Sequence, residues 1–230
     1  MFDGYLKFLS ENLNFARACD EAGITFMTSP YSIELVESVD RFLSAYKIGS
    51  GDITWHEIIR HIAKKNKPVL LASGASSADE VIQAMKTLSD LTQDIVLMQC
   101  NTNYTANREN FNYIHLNVLK SYAEMFPGVV LGLSDHTVGH STVLGAVSLG
   151  ARVIEKHFTD SNERSGPDHK FAMNPKSWKE MVERTRELEL SLGCGIKKIE
   201  DNEKETVILQ RRSYYFTEDL PQGSKISLSQ

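Results

Sequence analysis

Short apolar runs alternate along this chain with longer amphipathic stretches, and this alternation restricts the fold more than any other feature of the sequence. Strand-length runs that are apolar almost throughout are typical of parallel sheets whose two faces are both covered. The amphipathic stretches between them have the length of helices, so each pair of segments indicates a βα unit. We therefore predict an α/β fold with a parallel sheet surrounded by helices.

The alternation predicts six strands, at residues 24–29, 45–48, 69–72, 95–99, 129–133 and 152–157. Helices are expected at residues 11–22, 33–39, 55–65, 77–88, 111–125, 141–149 and 175–192. The last helix has Asn174 as its expected N-cap and a proline in its first turn. A closed barrel of this class has eight strands in about 250 residues. We therefore expect a (β/α)8 TIM-type barrel that lacks about two N-terminal βα units.

The composition of the chain changes near residue 195. Residues 1–195 contain the βα alternation and are assigned to the incomplete barrel. Residues 196–210 are rich in lysine and acidic residues, which indicates a solvated linker. Residues 211–230 read as a strand, a turn and the start of another strand, which is too little for a domain. We expect this last segment to be the beginning of a truncated second domain.

The overall composition is that of a soluble globular enzyme, with 41% hydrophobic and 24% charged residues. The net charge of -5 and the scattered Lys and Arg residues argue against nucleic-acid binding. No stretch has the length of a membrane span, and no leader pattern is visible, so we expect no membrane association. The 3 cysteines lack the spacing of a zinc site or a disulfide framework, which favours a reduced cytoplasmic location.

Two histidines stand where predicted strands break into polar residues, His136 after Ser134 and Asp135, and His157 after Glu155 and Lys156. Alternate strand residues share a face, so Ser134 lies with His136, and Glu155 lies with His157. If the two strands are adjacent, both imidazoles lie at the rim where barrels of this class hold their active sites. We predict a shared divalent metal, for which Mn²⁺, Mg²⁺, Zn²⁺ and Fe²⁺ are all compatible. Taken singly, each histidine also fits a hydrogen-bonded structural role.

Lys47 lies inside an apolar strand, and Ser50 follows it between two glycines. A buried lysine is costly without an anionic partner, and glycines allow backbone amides to approach a ligand closely. The pattern predicts a phosphate or carboxylate site, with a structural ion pair at Lys47 as the alternative. Hydroxyls end two further strands in the same manner, at Ser29 and Ser73.

Four motifs occur in a fixed order: Lys-Ile-Gly-Ser-Gly at 47–51, Gly-Leu-Ser-Asp-His-Thr at 132–137, Glu-Lys-His-Phe-Thr at 155–159 and Arg-Ser-Gly-Pro-Asp-His at 164–169. Together they resemble the sialic acid synthases, which include the N-acetylneuraminate, legionaminate and pseudaminate synthases. The resemblance covers about residues 11–195. Residues 212–216 and 219–223 resemble the opening of the antifreeze-like (SAF) domain of that family.

The resemblance implies a transferase that condenses phosphoenolpyruvate with an N-acetylhexosamine, usually N-acetylmannosamine, to give a nine-carbon 2-keto acid and phosphate. It also implies that His136 and His157 bind a divalent metal, most often Mn²⁺ with Mg²⁺ or Co²⁺ as alternatives, which polarises the sugar aldehyde. From its position on the face of His157, we expect Glu155 to orient the attacking water.

The resemblance also assigns binding residues by position. Lys47, Ser50 and Ser134 match phosphoenolpyruvate positions, and Ser29, Ser73 and Thr102 stand at or near further ones. Tyr104 and Asp168 match sugar positions, and Asp52 stands where the family usually has glutamate. The departures at Asp52 and Thr102 affect the identity of the sugar more than the reaction type.

Residues that the family carries on its first two strands, and an arginine from the partner subunit of its homodimer, have no counterpart in this chain. We therefore expect weak or no activity from the chain by itself. One alternative is a non-catalytic remnant or binding partner that retains the metal site. Another is a related phosphoenolpyruvate-dependent aldol-type synthase acting on erythrose 4-phosphate or arabinose 5-phosphate.

Overall fold

A computed structural model describes residues 2–225, with side chains from residue 11 onward. The chain divides into two compact units, Met1–Leu192 and Gly193–Gln230. The first unit contains a 5-stranded sheet whose order is β1-β2-β3-β4-β5. All pairings in this sheet are parallel, so the predicted parallel α/β architecture is confirmed.

The strands are β1 Tyr46–Ile48, β2 Val69–Ala72, β3 Ile95–Cys100, β4 Val130–Asp135 and β5 Val153–Lys156. The helices of the first unit are α1 Phe2–Ala22, α2 Ile33–Val39, α3 His56–Ala63, α4 Ala78–Ser89, α5 Val118–Met125, α6 Ser141–Ser148 and α7 Pro175–Leu192. Helix α8, Lys204–Gln210, belongs to the second unit. Asn174 caps α7 as expected, since its Oδ1 accepts from the amide of Ser177 at 3.0 Å.

The main hydrophobic core lies between the sheet and its helices. Alternate strand residues such as Ile48, Leu71, Leu97 and Leu133 are fully or almost fully buried in it. Full burial of each such side chain stabilises the fold by about 1.5–3 kcal/mol. The intervening residues, which include Lys47, Ser134 and Glu155, occupy the other face of the sheet.

The sheet curls into a half-barrel. Lys47 on β1 and Glu155 on β5 form an ion pair, with Nζ 2.9 Å from Oε2, although these are the first and last strands. In a flat sheet, four spacings of about 4.8 Å would separate the two strands by roughly 19 Å, which exceeds the reach of the two side chains. The side chains on this inner face therefore converge.

Two predictions for the barrel segment were wrong. Residues 24–29 form no strand, because their pairing with β1 is limited to one long hydrogen bond from the Lys47 amide to the Thr28 carbonyl, at 3.4 Å. The single helix expected at 111–125 is divided into a 3-10 segment, Arg108–Tyr113, and α5. His115 has a φ of 49° between them, and a left-handed residue cannot continue a right-handed helix.

The C-terminal predictions also need correction. The expected linker at 196–210 contains a 3-10 turn, Asp201–Glu203, followed directly by α8. The strand expected at 211–216 does not form, and Tyr214 is completely exposed there, because no neighbouring strand pairs with this segment in the described part of the chain. Residues 226–230 of the expected final strand lie outside the described residues. Within residues 2–225, no helix is long and apolar enough to cross a bilayer.

Candidate functional site

The two histidines lie side by side at the carboxyl ends of β4 and β5. These strands are adjacent, with Ser134 paired to Glu155 and Asp135 paired to Lys156. His136 and His157 follow the last paired residues, and their ring centroids are 5.1 Å apart. The adjacency predicted from strand parity is therefore confirmed.

His136 is held in one tautomer. Its Nδ1 lies 2.8 Å from the carbonyl oxygen of Asn101, and since a carbonyl only accepts, Nδ1 carries the proton. Burial lowers the pKa of His136, an effect that the hydrogen bond to Asn101 opposes. The ring is consequently neutral, with the lone pair of Nε2 free to bind a cation.

An aromatic and acidic shell surrounds the histidine pair. Tyr104 packs on both imidazoles, with centroid distances of 4.3 Å to His136 and 5.8 Å to His157. The buried Phe171 contacts the same rings at 6.0 and 5.0 Å. Asp168 places Oδ2 at 3.5 Å from Nδ1 of His157. Both Tyr104 and Asp168 were predicted from the sequence to lie at this site, whereas Phe171 was missed.

The donor set of this pair fits an open metal site. Among the residues described, no group of three or more His, Cys, Asp or Glu side chains could hold a metal ion. Two histidines, each with Nδ1 facing an oxygen, nevertheless offer two nitrogen ligands. Sites that leave coordination positions to water or substrate are catalytic rather than structural.

A second group of polar atoms lies around the Lys47–Glu155 ion pair. The contact is ionic rather than a directed hydrogen bond, and Glu155 Oε2 is buried without a hydrogen-bond partner. The Oγ of Ser29 is also buried and unpartnered. These residues line a cavity of about 470 Å³ with Leu70 and Trp178. Buried polar atoms without partners indicate a place where a polar ligand completes the bonding.

A third group gathers around Gly74, which follows β2. Its amide donates to Ser50 Oγ at 2.9 Å. A Cβ at this position would lie 2.5 Å from Thr102 Cγ2, 2.8 Å from Ser50 Oγ and 3.0 Å from Cys100 Sγ, so only glycine fits. Burial raises the pKa of the Cys100 thiol, while hydrogen bonding with Ser50 and Ser134 opposes that shift. Cys100 Sγ lies 4.0 Å from His136 Nδ1, which places this group beside the histidines.

Two predicted binding residues lie apart from these groups. Ser73 faces the helix layer, where its Oγ donates to the Met98 carbonyl at 2.9 Å and accepts from Tyr122 Oη at 2.9 Å. Asp52 lies in the 3-10 turn after β1, and burial raises the pKa of its carboxyl. Within the described residues, no hydrogen bond or ion pair joins Asp52 to the histidines.

A model of the NeuB family matches residues 8–197, which span the sheet, both histidines and all three polar groups. The chain belongs to the NeuB family. The resemblance to sialic acid synthases that the four motifs indicated is thereby confirmed.

Named relatives agree with this membership. The chain is 34% identical over 226 residues to the N,N'-diacetyllegionaminic acid synthase of Campylobacter jejuni, covering 96% of this chain and 66% of the relative. It is 33% identical to the solved structure of spore coat polysaccharide biosynthesis protein SpsE from Bacillus subtilis, with a TM-score of 0.72 and coverage of 81% and 52%.

The fold agrees with a further NeuB-type structure. The N-acetylneuraminic acid synthetase of Leptospira borgpetersenii, solved in complex with citrate, superimposes with a TM-score of 0.77 at 24% identity. That match covers 86% of this chain and 70% of the other. The chain spans 58% to 66% of the length of three of its curated relatives.

Sequence reasoning missed four residues of this NeuB-family site: Phe171, Gly74, Asp135 and Lys156. Phe171 opens an apolar triplet, Phe-Ala-Met, within a polar loop, and that interruption was a usable signal. Gly74 lies two residues after the end of β2, but no local pattern reveals which side chains crowd it. Asp135 and Lys156 alternate with the site residues, so parity assigned them to the outer face without indicating that they meet.

Proposed function

We propose that this chain forms the phosphoenolpyruvate-binding and metal-binding part of a synthase that joins phosphoenolpyruvate to an N-acetylhexosamine. The product is a nine-carbon 2-keto sugar acid, with phosphate released. The observation that carries the proposal is that two imidazoles 5.1 Å apart and Lys47, whose ammonium pairs with the half-exposed Glu155, lie on one inner face of the sheet. Membership of the NeuB family supports the same reaction class.

Phosphoenolpyruvate fits the polar atoms on the inner face. Lys47 supplies the positive charge, and the hydroxyls of Ser29, Ser50 and Ser134 supply donors for carboxylate and phosphate oxygens. Thr102 lies against the Gly74 turn and so borders the same space. An arriving anion competes with Glu155 for Lys47, because both bind the same ammonium group. Substrate binding therefore releases the Glu155 carboxylate.

We propose that Glu155 orients the attacking water and accepts its proton. Its Oε2 is buried, makes no directed hydrogen bond among the described residues and lies 2.9 Å from the ammonium of the lysine that holds the substrate anion. When the enol carbon of phosphoenolpyruvate bonds to the aldehyde carbon of the sugar, the carbon that carries the phosphate becomes cationic. Once released from Lys47, the Glu155 carboxylate can accept a proton from a water molecule as that water bonds to this carbon. The hydrated carbon then loses phosphate.

His136 and His157 would hold a divalent metal, Mn²⁺ in preference to Mg²⁺ or Co²⁺, and when bound it supplies Lewis-acid polarisation of the sugar aldehyde. The neutral state of His136 supports this assignment, because a protonated imidazole cannot bind a metal. The hydrogen bond to Asn101 keeps the ring in the tautomer that leaves Nε2 available.

The sugar is proposed to lie against Tyr104 and Asp168. Tyr104 is 47% exposed and packs on both imidazoles, so its outer face is free to contact a sugar ring. Asp168 has an exposed carboxylate next to His157, which suits hydrogen bonds to hydroxyls. Asp52, in the turn after β1, is a third residue that we propose to contact the sugar.

Calorimetric titration of the full chain with phosphoenolpyruvate tests the anion site. We expect binding that Lys47→Met abolishes and that Lys86→Met leaves unchanged, since Lys86 is a surface lysine with a side chain 73% exposed. A chain that shows no heat with millimolar phosphoenolpyruvate, or a Lys47→Met variant that binds normally, contradicts the proposal.

Incubation with phosphoenolpyruvate, Mn²⁺ and a panel of sugars tests the reaction. Mass spectrometry should detect the nine-carbon acid with N-acetylmannosamine or a related N-acetylhexosamine, together with released phosphate. A product formed from erythrose 4-phosphate or arabinose 5-phosphate instead would assign the chain to the aldol-type synthases.

A further inference from the structure

A buried polar network lies behind the histidine pair, on the helix side of the sheet. Lys156 Nζ is 2.7 Å from Asp135 Oδ2, and the two side chains are 1% and 0% exposed. Asp135 Oδ2 also accepts from Thr137 Oγ1 at 3.0 Å and from Thr142 Oγ1 at 2.6 Å. Its Oδ1 accepts from the Thr137 amide at 3.0 Å. Both oxygens of the carboxylate are therefore satisfied inside the protein.

Such a pair is not explained by stability alone. Removing two charges from water costs several kcal/mol each, and apolar residues of similar volume often stabilise a core as well or better. Leu133, two residues before Asp135 on β4, and Val143, next to Thr142 on α6, are both buried apolar residues, so a hydrophobic pair would be compatible with this layer. The pair therefore has a structural task that apolar residues would not perform.

The position of the pair identifies that task. Asp135 and Lys156 are the final residues of β4 and β5 and the last pair in register, so the backbone ladder ends one residue before each histidine. Lys156 Nζ also donates to the Thr137 carbonyl at 2.7 Å. The network therefore fixes the chain on both sides of His136, at residues 135 and 137. Backbone pairing between β4 and β5 ends at residue 135 and does not hold this segment.

His157 is held in the same way. Lys156 precedes His157 in the chain, and the carbonyl of His157 accepts from the amide of Met173 at 2.8 Å. The segment beyond continues as an isolated parallel bridge between Phe158 and Met173. The backbone is therefore fixed on both sides of each histidine. The Asp135–Lys156 ion pair links the segment that contains His136 to the segment that contains His157.

We propose that Asp135 and Lys156 are a positioning pair that sets the separation and orientation of the His136 and His157 imidazoles. The charged ends of both side chains are buried in their own ion pair on the helix side of the sheet, so we assign them a positioning role and not a catalytic one. The expected effect of this pair on metal affinity rests on the proposed function. Its expected effect on the geometry of the two imidazoles does not.

The test is a double variant, Asp135→Asn with Lys156→Met, compared with the single variant Lys156→Met. The single variant leaves a buried carboxylate without its counter-ion, so we expect a large drop in the melting temperature. The double variant removes both charges and keeps similar volumes, so we expect a melting temperature near that of the wild type. A matched surface control is Lys86→Met with Asp90→Asn, a pair whose side chains are 73% and 63% exposed.

Two measurements on the double variant separate positioning from stability. Long-range ¹H–¹⁵N spectra of the metal-free imidazoles should show shifted His136 and His157 signals and loss of the single Nδ1-protonated form of His136. Titration with Mn²⁺ alone, followed by electron paramagnetic resonance, should show affinity weakened by about 10- to 100-fold, as for other residues that orient metal ligands. The surface control should change neither result.

Ring signals that superimpose on those of the wild type overturn the positioning role, whatever the metal result. If the wild-type chain binds no Mn²⁺, the proposed metal site fails, and the ring signals still decide the inference. Should the double variant not fold, Thr142→Val decides it. This change removes the 2.6 Å hydrogen bond to Asp135 and the 3.0 Å contact with Thr137 Oγ1, and it leaves the Asp135–Lys156 ion pair in place. We expect smaller ring shifts in the same direction with Thr142→Val and none with Thr142→Ser, and unshifted rings in Thr142→Val overturn the inference.

Discussion

The chemistry of the His136 imidazole depends on one neighbouring group and on burial. The Asn101 carbonyl holds the proton on Nδ1, and burial holds the pKa below its ordinary value of 6.5. Neither effect requires a change in the residue itself. A surface histidine in the same motif would be partly protonated near neutral pH and would turn freely between tautomers.

The lowered pKa of His136 predicts a loss of stability in mild acid. Just below pH 6.5 the unfolded chain protonates this imidazole while the folded chain keeps it neutral, so the unfolded state binds more protons. The contribution of His136 to stability is therefore present above its unfolded pKa of 6.5 and is lost as the pH falls through the lowered pKa of the folded state. Urea unfolding at several pH values on both sides of 6.5 measures this effect. The free energy of unfolding should change less with pH in His136→Asn, whose side-chain amide can still donate to the Asn101 carbonyl. The same slope in both proteins would contradict this explanation.

Gly74 is a second residue whose role depends on its neighbours. Gly74→Ala should destabilise the chain by about 1–3 kcal/mol, because its Cβ would overlap Thr102 and Ser50. Displacement of Ser50 should also weaken phosphoenolpyruvate binding in calorimetry. Gly51→Ala is the matched control for stability, since nothing lies within 4 Å of its Cβ position. Equal stability of the two variants would show that the crowding is absent.

At the scale of elements, local sequence signals decide where several helices begin. Helix α4 starts at a capping box, in which Ser77 Oγ accepts from the Glu80 amide at 3.3 Å and Glu80 Oε2 accepts from the Ser77 amide at 2.7 Å. This pattern lies within four consecutive residues, so sequence inspection can locate it. The predicted helices at 33–39 and 175–192 match α2 and α7 residue for residue.

Ser77→Ala should lower the free energy of unfolding by about 0.5–2 kcal/mol, because two amides at the start of α4 lose their partners or their geometry. Urea unfolding measures this change. Ser89→Ala at the other end of α4 removes an exposed hydroxyl that donates to the Lys86 carbonyl, and we expect a change within about 0.5 kcal/mol. A larger loss for Ser89→Ala than for Ser77→Ala would contradict the capping argument.

Elements whose limits depend on distant partners were predicted less well. Residues 24–29 are apolar enough for a strand but make one long hydrogen bond to β1, and a strand is defined by a ladder. The interruption of the helix expected at 111–125 depends on the left-handed backbone of His115. Helical periodicity does not reveal such a residue, because the apolar spacing continues through it.

At the scale of the whole molecule, the chain divides after Leu192, close to the change of composition at residue 195. Residues 194–200 belong to no helix or strand. Lys197 and Lys198 lie in that segment with side chains 88% and 61% exposed. The backbone there is open to solvent and offers little resistance to a protease.

Limited digestion with trypsin should therefore cut after Lys197 or Lys198 before any site between Arg41 and Arg186. Mass spectrometry over a time course would identify the first fragment boundary. Addition of phosphoenolpyruvate should slow the later cuts in residues 41–186 and leave the first cut unchanged, since no described contact of the anion site involves Lys197. A first cut inside a helix of the unit Met1–Leu192 would contradict the division of the chain.

The amino-acid sequence by itself determined the parallel α/β class, most of the helices and the presence of polar side chains such as Lys47, Ser134 and Glu155 on one face of the sheet. These features follow from periodicity and from polar residues at strand ends, which are local properties of the chain. It could not determine that Lys47 meets Glu155 across a curled sheet, that Ser73 turns to the helix layer or that Asp135 meets Lys156 behind the histidines. Those contacts join residues far apart in the chain, and only the curvature and register of the packed sheet bring them within bonding distance.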